Sequence, residues 1–306
     1  MERDLPKLIV ISGPTCSGKS KLAVDLALEV GGEIINADSM QVYRGMDVGT
    51  AKLPVEDRKG IKHHLIDILE PDQEFNAALF VSYALPVIQD LRQKGMPIIV
   101  VGGTGLYVRA LLGGLFECPP SDFEVRQRLQ EEFEKKGLPV LYQRLLKLDK
   151  NAADNINPND RIRIMRALEV IDITARPFSE LVGEHGFSDR RFSYLHFCMN
   201  IDRTILYERI NIRTMSMIEG GLIDETKGLL DAGYSPDLKS MQSIGYRHSI
   251  HYLNGLWGLD EAIRIIQRDT RRYAKRQLTW FRAEKDVTWI SPEDTEGLAT
   301  KVIKFI

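Results

Sequence analysis

Cysteine is scarce in this chain of 306 residues: Cys16, Cys118 and Cys198 lie far apart, form no C-x-x-C pair and leave an odd count. That arrangement argues against a disulfide framework and a zinc site, so a reduced, cytoplasmic setting is the expectation. Long apolar runs are absent too. No stretch approaches the roughly 18 apolar residues a membrane span needs, and Glu2 and Asp4 precede the first apolar run where a signal peptide would be basic. Neither a membrane partner nor secretion is expected. Net charge is only −2, so no global field draws the chain to nucleic acid, and any such partner must be met by a local patch. There is no internal repeat or low-complexity tract, while 43% hydrophobic residues suffice for a sizeable core.

What the sequence does contain begins at Gly13-Pro14-Thr15-Cys16-Ser17-Gly18-Lys19-Ser20, which fits G-x-x-x-x-G-K-[ST]. In that pattern glycines let backbone N–H groups close on a phosphate chain and the lysine adds a point charge. The pattern alone could be a glycine turn that binds nothing, so its flanks matter. Before it, Leu8–Ile11 is apolar and β-branched; after it, Leu22, Ala23, Leu26, Ala27 and Val30 recur at helical spacing until Gly31-Gly32. Strand, glycine loop and helix N-terminus in that order aim a helix dipole at the anion.

Further strands are expected at Glu33–Ala37, Leu65–Ile68 and Pro97–Val101, with a helix over 77–94. From about Phe116 to Arg191 the chain turns charged and helix-forming, with Asn159 or Asp160 as a cap and Pro177 after a helix end. Strands return at Tyr194–Asn200 and Val287–Ile290. The fold class expected is α/β: a phosphate-loop, doubly wound parallel sheet built from 1–115 and 192–306, carrying a helical insert over 116–191.

One absence narrows the chemistry. A phosphate-loop NTPase places an acidic residue at the end of a later strand to hold Mg²⁺, yet Ile98–Val101 ends in Gly102-Gly103-Thr104-Gly105 with no carboxylate. The first strand-end carboxylate is Asp38, after the second strand. In an open parallel sheet the carboxyl ends of neighbouring strands share a crevice, so the loop 13–20, Asp38 and Thr104 are expected to converge. Taken singly, Asp38-Ser39 could be a helix cap and the glycine run a tight turn.

The local patch is in the C-terminal third, where Arg264, Arg268, Arg271, Arg272, Lys275, Arg276, Arg282 and Lys285 face only Asp269 and Glu284. Arg264, Arg268, Arg271, Lys275 and Arg282 share one helix face by spacing, with Tyr273, Trp280 and Phe281 interleaved. Such a segment is either a solvated face over core aromatics or an RNA platform.

The strings "GPTCSGKS", "NADSMQVYRGMDVGTAK", "HHLID", "VGGTGLY", "NPNDRIRIMRALEV", "SIGYR" and "RRYAKRQLTWFR" run almost the length of the chain, in order, and resemble the tRNA dimethylallyltransferase (tRNA isopentenyltransferase) family. No Cys/His cluster follows the last strand, which matches the short bacterial type and not the eukaryotic type with its zinc finger. The resemblance implies transfer of a dimethylallyl group from dimethylallyl diphosphate to the exocyclic amine of the adenosine 3′ to the anticodon. It assigns the donor diphosphate to Gly13, Thr15, Cys16, Ser17, Gly18, Lys19 and Ser20, with Mg²⁺ on Ser20. Asp38 is the implied base, and Thr104 and Arg213 complete the catalytic set. Contacts to the anticodon stem-loop are implied for Asp38, Ser39, Met40, Gln41, Thr104, Arg126, Ile162, Arg163, Ile164, Met165, Arg166, Gln242, Gly245, Tyr246, Arg247, Arg268, Arg271 and Lys275. The insert would clasp the anticodon arm, and the enzyme would act as a monomer. Three rivals stay open on the residues alone: a phosphate-loop kinase, a transferase for free adenine nucleotides, and a non-catalytic RNA-binding module.

Overall fold

The computed structural model describes residues 5–115, 119, 122–185, 189, 191–292 and 297–306. Cys118 and the start of the insert at Phe116 lie outside the described residues. Two compact units emerge, one from 1–111 with 191–306 and one from 112–190.

The first unit opens with β1 (Lys7–Ser12), α1 (Lys19–Val30), β2 (Glu33–Asn36), β3 (His63–His64), α2 (Ala77–Gln93) and β4 (Ile98–Gly102), and α3 (Gly105–Gly113) leads out of it. The second unit holds α4 (Phe123–Lys136), α5 (Leu138–Leu148), α6 (Lys150–Asn155), α7 (Arg161–Thr174) and α8 (Phe178–His185). The chain then returns through β5 (Ser193–Met199), α9 (Arg203–Glu219), α10 (Leu222–Asp231), α11 (Tyr246–Leu253), α12 (Leu259–Arg282), β6 (Thr288–Ile290) and α13 (Leu298–Phe305).

The strands order as β3-β2-β4-β1-β5-β6, and each neighbouring pair is parallel. Central strands of a parallel sheet are covered on both faces and read as continuous apolar runs; Leu8, Ile9, Val10 and Ile11 are fully buried accordingly. Register fixes the site. Ser12 pairs with Gly102 on one side and Cys198 on the other, and Asn36 pairs with Val101. The segments that follow β1, β2 and β4 therefore leave the sheet at one level. Gly102 is required there, since a Cβ would meet the Ala37 carbonyl oxygen at 2.1 Å.

One expected strand is displaced. Pairing stops at His64, and Leu65 and Asp67 adopt φ of 61° and 56°. The cause is Lys52, whose side chain is only 3% exposed and which needs anionic partners to be tolerated there. Asp67 supplies one at 2.5 Å and Asp47 another, while the Tyr43 carbonyl accepts at 2.9 Å. The Asp67 and Ile68 amides donate to the Gln41 and Val42 carbonyls. Residues 65–68 thus turn across the segment after β2 and brace it.

In the second unit, Leu129, Leu141, Leu145, Ile164, Ala167 and Leu168 form a separate apolar core. Asp160 caps α7 through the Arg163 amide. Glu169 is buried and accepts from the Asp122 amide, Arg126 Nε and Arg166 Nη1. Without those donors an isolated buried carboxylate would be costly.

Candidate active site

Beyond β1 the chain turns on Gly13, at φ 145°, where a Cβ would strike Met199 Cβ at 2.9 Å. Gly18 then opens α1 in a left-handed conformation, with no side chain capping the helix and no acidic residue in its first turn. The first amides of a helix have no intrahelical partner, so the N–H groups of α1 and its dipole are left for an external anion. Lys19 Nζ donates to the Pro14 carbonyl at 3.2 Å. Removal from water lowers the Lys19 pKa, Asp38 opposes that shift, and Arg213 adds to it. Arg213, from α9, donates to Thr15 Oγ1 at 3.4 Å. Two cations and an uncapped helix end converge on one spot.

Across from them, Asp38 closes a turn of its own: Oδ1 accepts from the amides of Met40 at 2.8 Å and Gln41 at 3.3 Å. The other carboxylate oxygen receives no hydrogen bond from a described residue. Gln41 is held by the Thr50 and Ala51 carbonyls, and these two residues belong to a loop pinned from below. Glu225 of α10 accepts from the amides of Asp47, Val48 and Gly49 at 2.9, 2.8 and 3.0 Å and from the Tyr246 hydroxyl at 2.5 Å. Gly49 must lack a side chain, because a Cβ would lie 2.4 Å from the Tyr246 ring.

These segments enclose a cavity of about 480 Å³. Thr15, Cys16, Gly18, Lys19, Ser20 and Arg213 line one side; Asp38, Ser39, Met40, Gln41, Gln242, Gly245 and Arg247 line the other. Tyr273, Arg276 and Gln277 of α12 close it. Burial, with the Asp38 charge assisting, raises the Tyr273 pKa and keeps the phenol protonated. Among the described residues, the buried side-chain nitrogen and oxygen atoms without a well-formed hydrogen bond are Ser17 Oγ, Asn36 Nδ2, Thr104 Oγ1 and Trp280 Nε1. Of these residues, Asn36 at the end of β2 belongs to the cavity lining, where such unmet capacity calls for a partner.

Several expected positions differ. Thr104 is not in the cavity lining; its hydroxyl is buried beside Tyr273. Ser17 is fully buried and its side chain is not in the cavity lining. Tyr246 is likewise buried, and its hydroxyl donates to Glu225, so its side chain is not presented at the surface. Ile164 lies in the core of the second unit, whereas its neighbours Ile162 and Arg163 are exposed and Met165 is partly so. Arg126 and Arg166 turn to Glu169. On α12, Arg268 pairs with Asp269, and Arg271 donates to Asn211 Oδ1 at 2.8 Å and lies over the Tyr207 ring. Lys275 is exposed, and no ion pair holds it among the described residues.

Sequence reasoning missed Tyr273 and Gln277. Ile266, Thr270, Tyr273 and Gln277 follow one another at spacings of four, three and four and all face the cavity. A glutamine within such a stripe was the available signal. Glu225 and Lys52 carried none, since their roles depend on contacts distant in sequence.

A protein-family model described as IPP transferase matches residues 41–284, and another described as isopentenyl transferase matches 6–68. The tRNA dimethylallyltransferase 2 of Geotalea uraniireducens is 50% identical, covering 99% of this chain and 98% of the relative. The tRNA dimethylallyltransferase of Geobacter sulfurreducens is 48% identical, covering 98% and 96%. Among solved structures, the full-length tRNA isopentenylpyrophosphate transferase of Bacillus halodurans superposes with a TM-score of 0.72 at 40% identity, over 98% of this chain and 96% of that one. A eukaryotic dimethylallyltransferase acting on tRNA gives 0.80 at 29% identity, over 97% and 77%. Matched from end to end by relatives of nearly half-identical sequence, the chain belongs to the tRNA dimethylallyltransferase family.

Proposed function

We propose that this enzyme moves the dimethylallyl group of dimethylallyl diphosphate onto the exocyclic N6 amine of the adenosine 3′ to the anticodon in tRNA. One observation carries the reading: an uncapped helix end with Lys19 and Arg213 faces a half-engaged carboxylate, Asp38, across a single cavity. The first half suits a leaving diphosphate and the second suits an amine that must lose a proton.

In the reaction the amine nitrogen bonds to the allylic carbon as that carbon's bond to the diphosphate oxygen breaks. The electron pair leaves with the diphosphate and the amine proton passes to Asp38. An amine conjugated with a purine ring is a poor nucleophile, so a carboxylate that orients it and takes its proton acts where help is most needed. Its bonds to Met40 and Gln41 hold Asp38 in place through Oδ1 and leave Oδ2 for the amine. Lys19, Arg213 and the α1 amides meet the charge that builds on the diphosphate, which is where stabilisation favours the transition state over the ground state. Magnesium fits this donor set: the Ser20 hydroxyl, in the cavity lining at the start of α1, would hold it beside the diphosphate. When bound, the ion neutralises diphosphate charge.

A stacked base does not reach such a cavity, so the adenosine enters flipped, past Ser39, Met40 and Gln41. The exposed Lys275 of α12 and, on the insert, Ile162 and Arg163 supply backbone and stacking contacts to the anticodon arm. The free thiols of Cys16 and Cys198 fit a reducing cytoplasm.

Mass spectrometry of an anticodon stem-loop incubated with the enzyme, Mg²⁺ and dimethylallyl diphosphate tests the reading. A gain of one isopentenyl unit on the adenosine supports it. Modification of free AMP at an equal rate, or phosphoryl transfer from ATP, would replace it with one of the rivals.

A further inference from the structure

Gln277 sits on α12 with 6% of its surface exposed and makes two hydrogen bonds that span the cavity floor. Its Oε1 accepts from the Thr15 amide at 2.8 Å, and its Nε2 donates to the Gly103 carbonyl at 2.9 Å. The orientation of the amide follows from its partners, since an N–H must face the oxygen and a carbonyl the nitrogen. Gly103 is shaped to admit it: a Cβ there would stand 2.3 Å from Nε2. One buried side chain therefore ties the phosphate loop after β1 to the turn after β4 that carries Thr104. These two segments share no other hydrogen bond among the described residues.

We propose that Gln277 is a positioning residue for the donor diphosphate, which rests on the transferase reading above. With the Thr15 amide engaged by Gln277, and the Ser17 amide turned back to the Pro14 carbonyl at 3.3 Å, the N–H groups left for the anion include those where α1 begins. Gln277 holds the loop so that this end of the helix, Lys19 and Arg213 address the same phosphate. Arg213 itself reaches the loop through Thr15 Oγ1, one residue's side chain away from the bond that Gln277 makes. Phosphate cradles work by preorganised amides, and a loop freed to move loses that alignment without losing its charge. The exposed Lys275 on the same helix takes no part in this bond, so the affinity for the RNA arm is expected to survive its loss.

The test uses inorganic diphosphate as the probe, measured by calorimetry, so that it does not depend on transferase activity. In Gln277→Met, of similar volume, diphosphate affinity falls at least tenfold and the KM for dimethylallyl diphosphate rises by the same factor. The dissociation constant for the anticodon stem-loop stays within twofold. Gln277→Glu preserves the shape but sets a carboxylate against the Gly103 carbonyl. Its deficit in diphosphate affinity relative to wild type shrinks as pH is lowered toward the ordinary glutamate range near pH 4.3, where the protonated acid regains a donor. A merely structural role would produce no such pH rescue. Unchanged diphosphate affinity in a folded Gln277→Met, or a Gln277→Glu deficit that ignores pH, overturns the proposal. Failure of wild type to modify RNA would instead overturn the transferase reading and leave the diphosphate comparison standing.

Discussion

Asp38 has two duties that a single substitution separates. Its Oδ1 closes the turn with Met40 and Gln41, and asparagine retains a carbonyl oxygen for that. What D38N loses is the capacity to take a proton. Turnover should fall by about 10²- to 10⁴-fold, with affinities for donor and stem-loop preserved; single-turnover rates beside binding curves check both halves. A near-normal rate in D38N would remove Asp38 as the base. A second residue-scale expectation concerns His196, which shares a 2.8 Å hydrogen bond with Ser12 Oγ directly before the phosphate loop. Burial drops its pKa from 6.5 to about 4. The unfolded chain then binds the proton first, so stability falls as pH drops from about 6.5 to about 4 and levels off below. Between pH 7 and 5 this group alone removes about 2 kcal/mol, and H196Q should shed that share of the loss in denaturant titrations at the two pH values. At this scale the legible residues were those in a compact motif. Lys19 and Asp38 announce themselves within a few positions of a strand end, whereas Gln277 acts on Thr15 from 262 residues away.

The two faces of α12 show why a pattern on an element is only half of its meaning. Basic spacing along the helix pointed to an RNA platform, and the pattern does mark one face, but Arg268 and Arg247 spend their charge on Asp269. Burial alone would raise the Asp269 pKa, yet bonds from Arg268, His248 and Arg247 outweigh it and bring the value to about 2. K275A should therefore reduce the slope of RNA affinity against salt by about 0.7 per lost phosphate contact and leave the melt unchanged. R268A should lower the melting temperature and change the slope less. Filter binding over a salt series, with thermal melts, separates the two. The segment after β2 was legible as a site and illegible as a scaffold: Asp38 could be placed, but the Lys52 and Glu225 networks that bend and pin 47–68 could not. G49A should cost about 1–3 kcal/mol through overpacking against Tyr246. G228A, with nothing within 4 Å of the added carbon, serves as its control, and thermal melts read the difference.

Across the whole molecule, the parallel α/β class and the site at the carboxyl ends of β1, β2 and β4 were legible because apolar runs, glycine turns and a parallel sheet leave few arrangements, whereas the order of the strands was read only from the structure. The face that each helix turns to its neighbours was not, since that depends on packing. This is why Tyr246 and Ile164 were expected at an RNA surface and lie in cores instead. The family shares the architecture from end to end, so what has to be decided about this chain is whether its phosphate loop serves a leaving diphosphate. Diphosphate release should be followed in a single turnover with two stem-loops, one carrying adenosine beside the anticodon and one carrying purine riboside, which lacks the exocyclic amine. The account predicts one diphosphate per modified adenosine with the first RNA and no release with the second. Release that proceeds equally without the amine would contradict it.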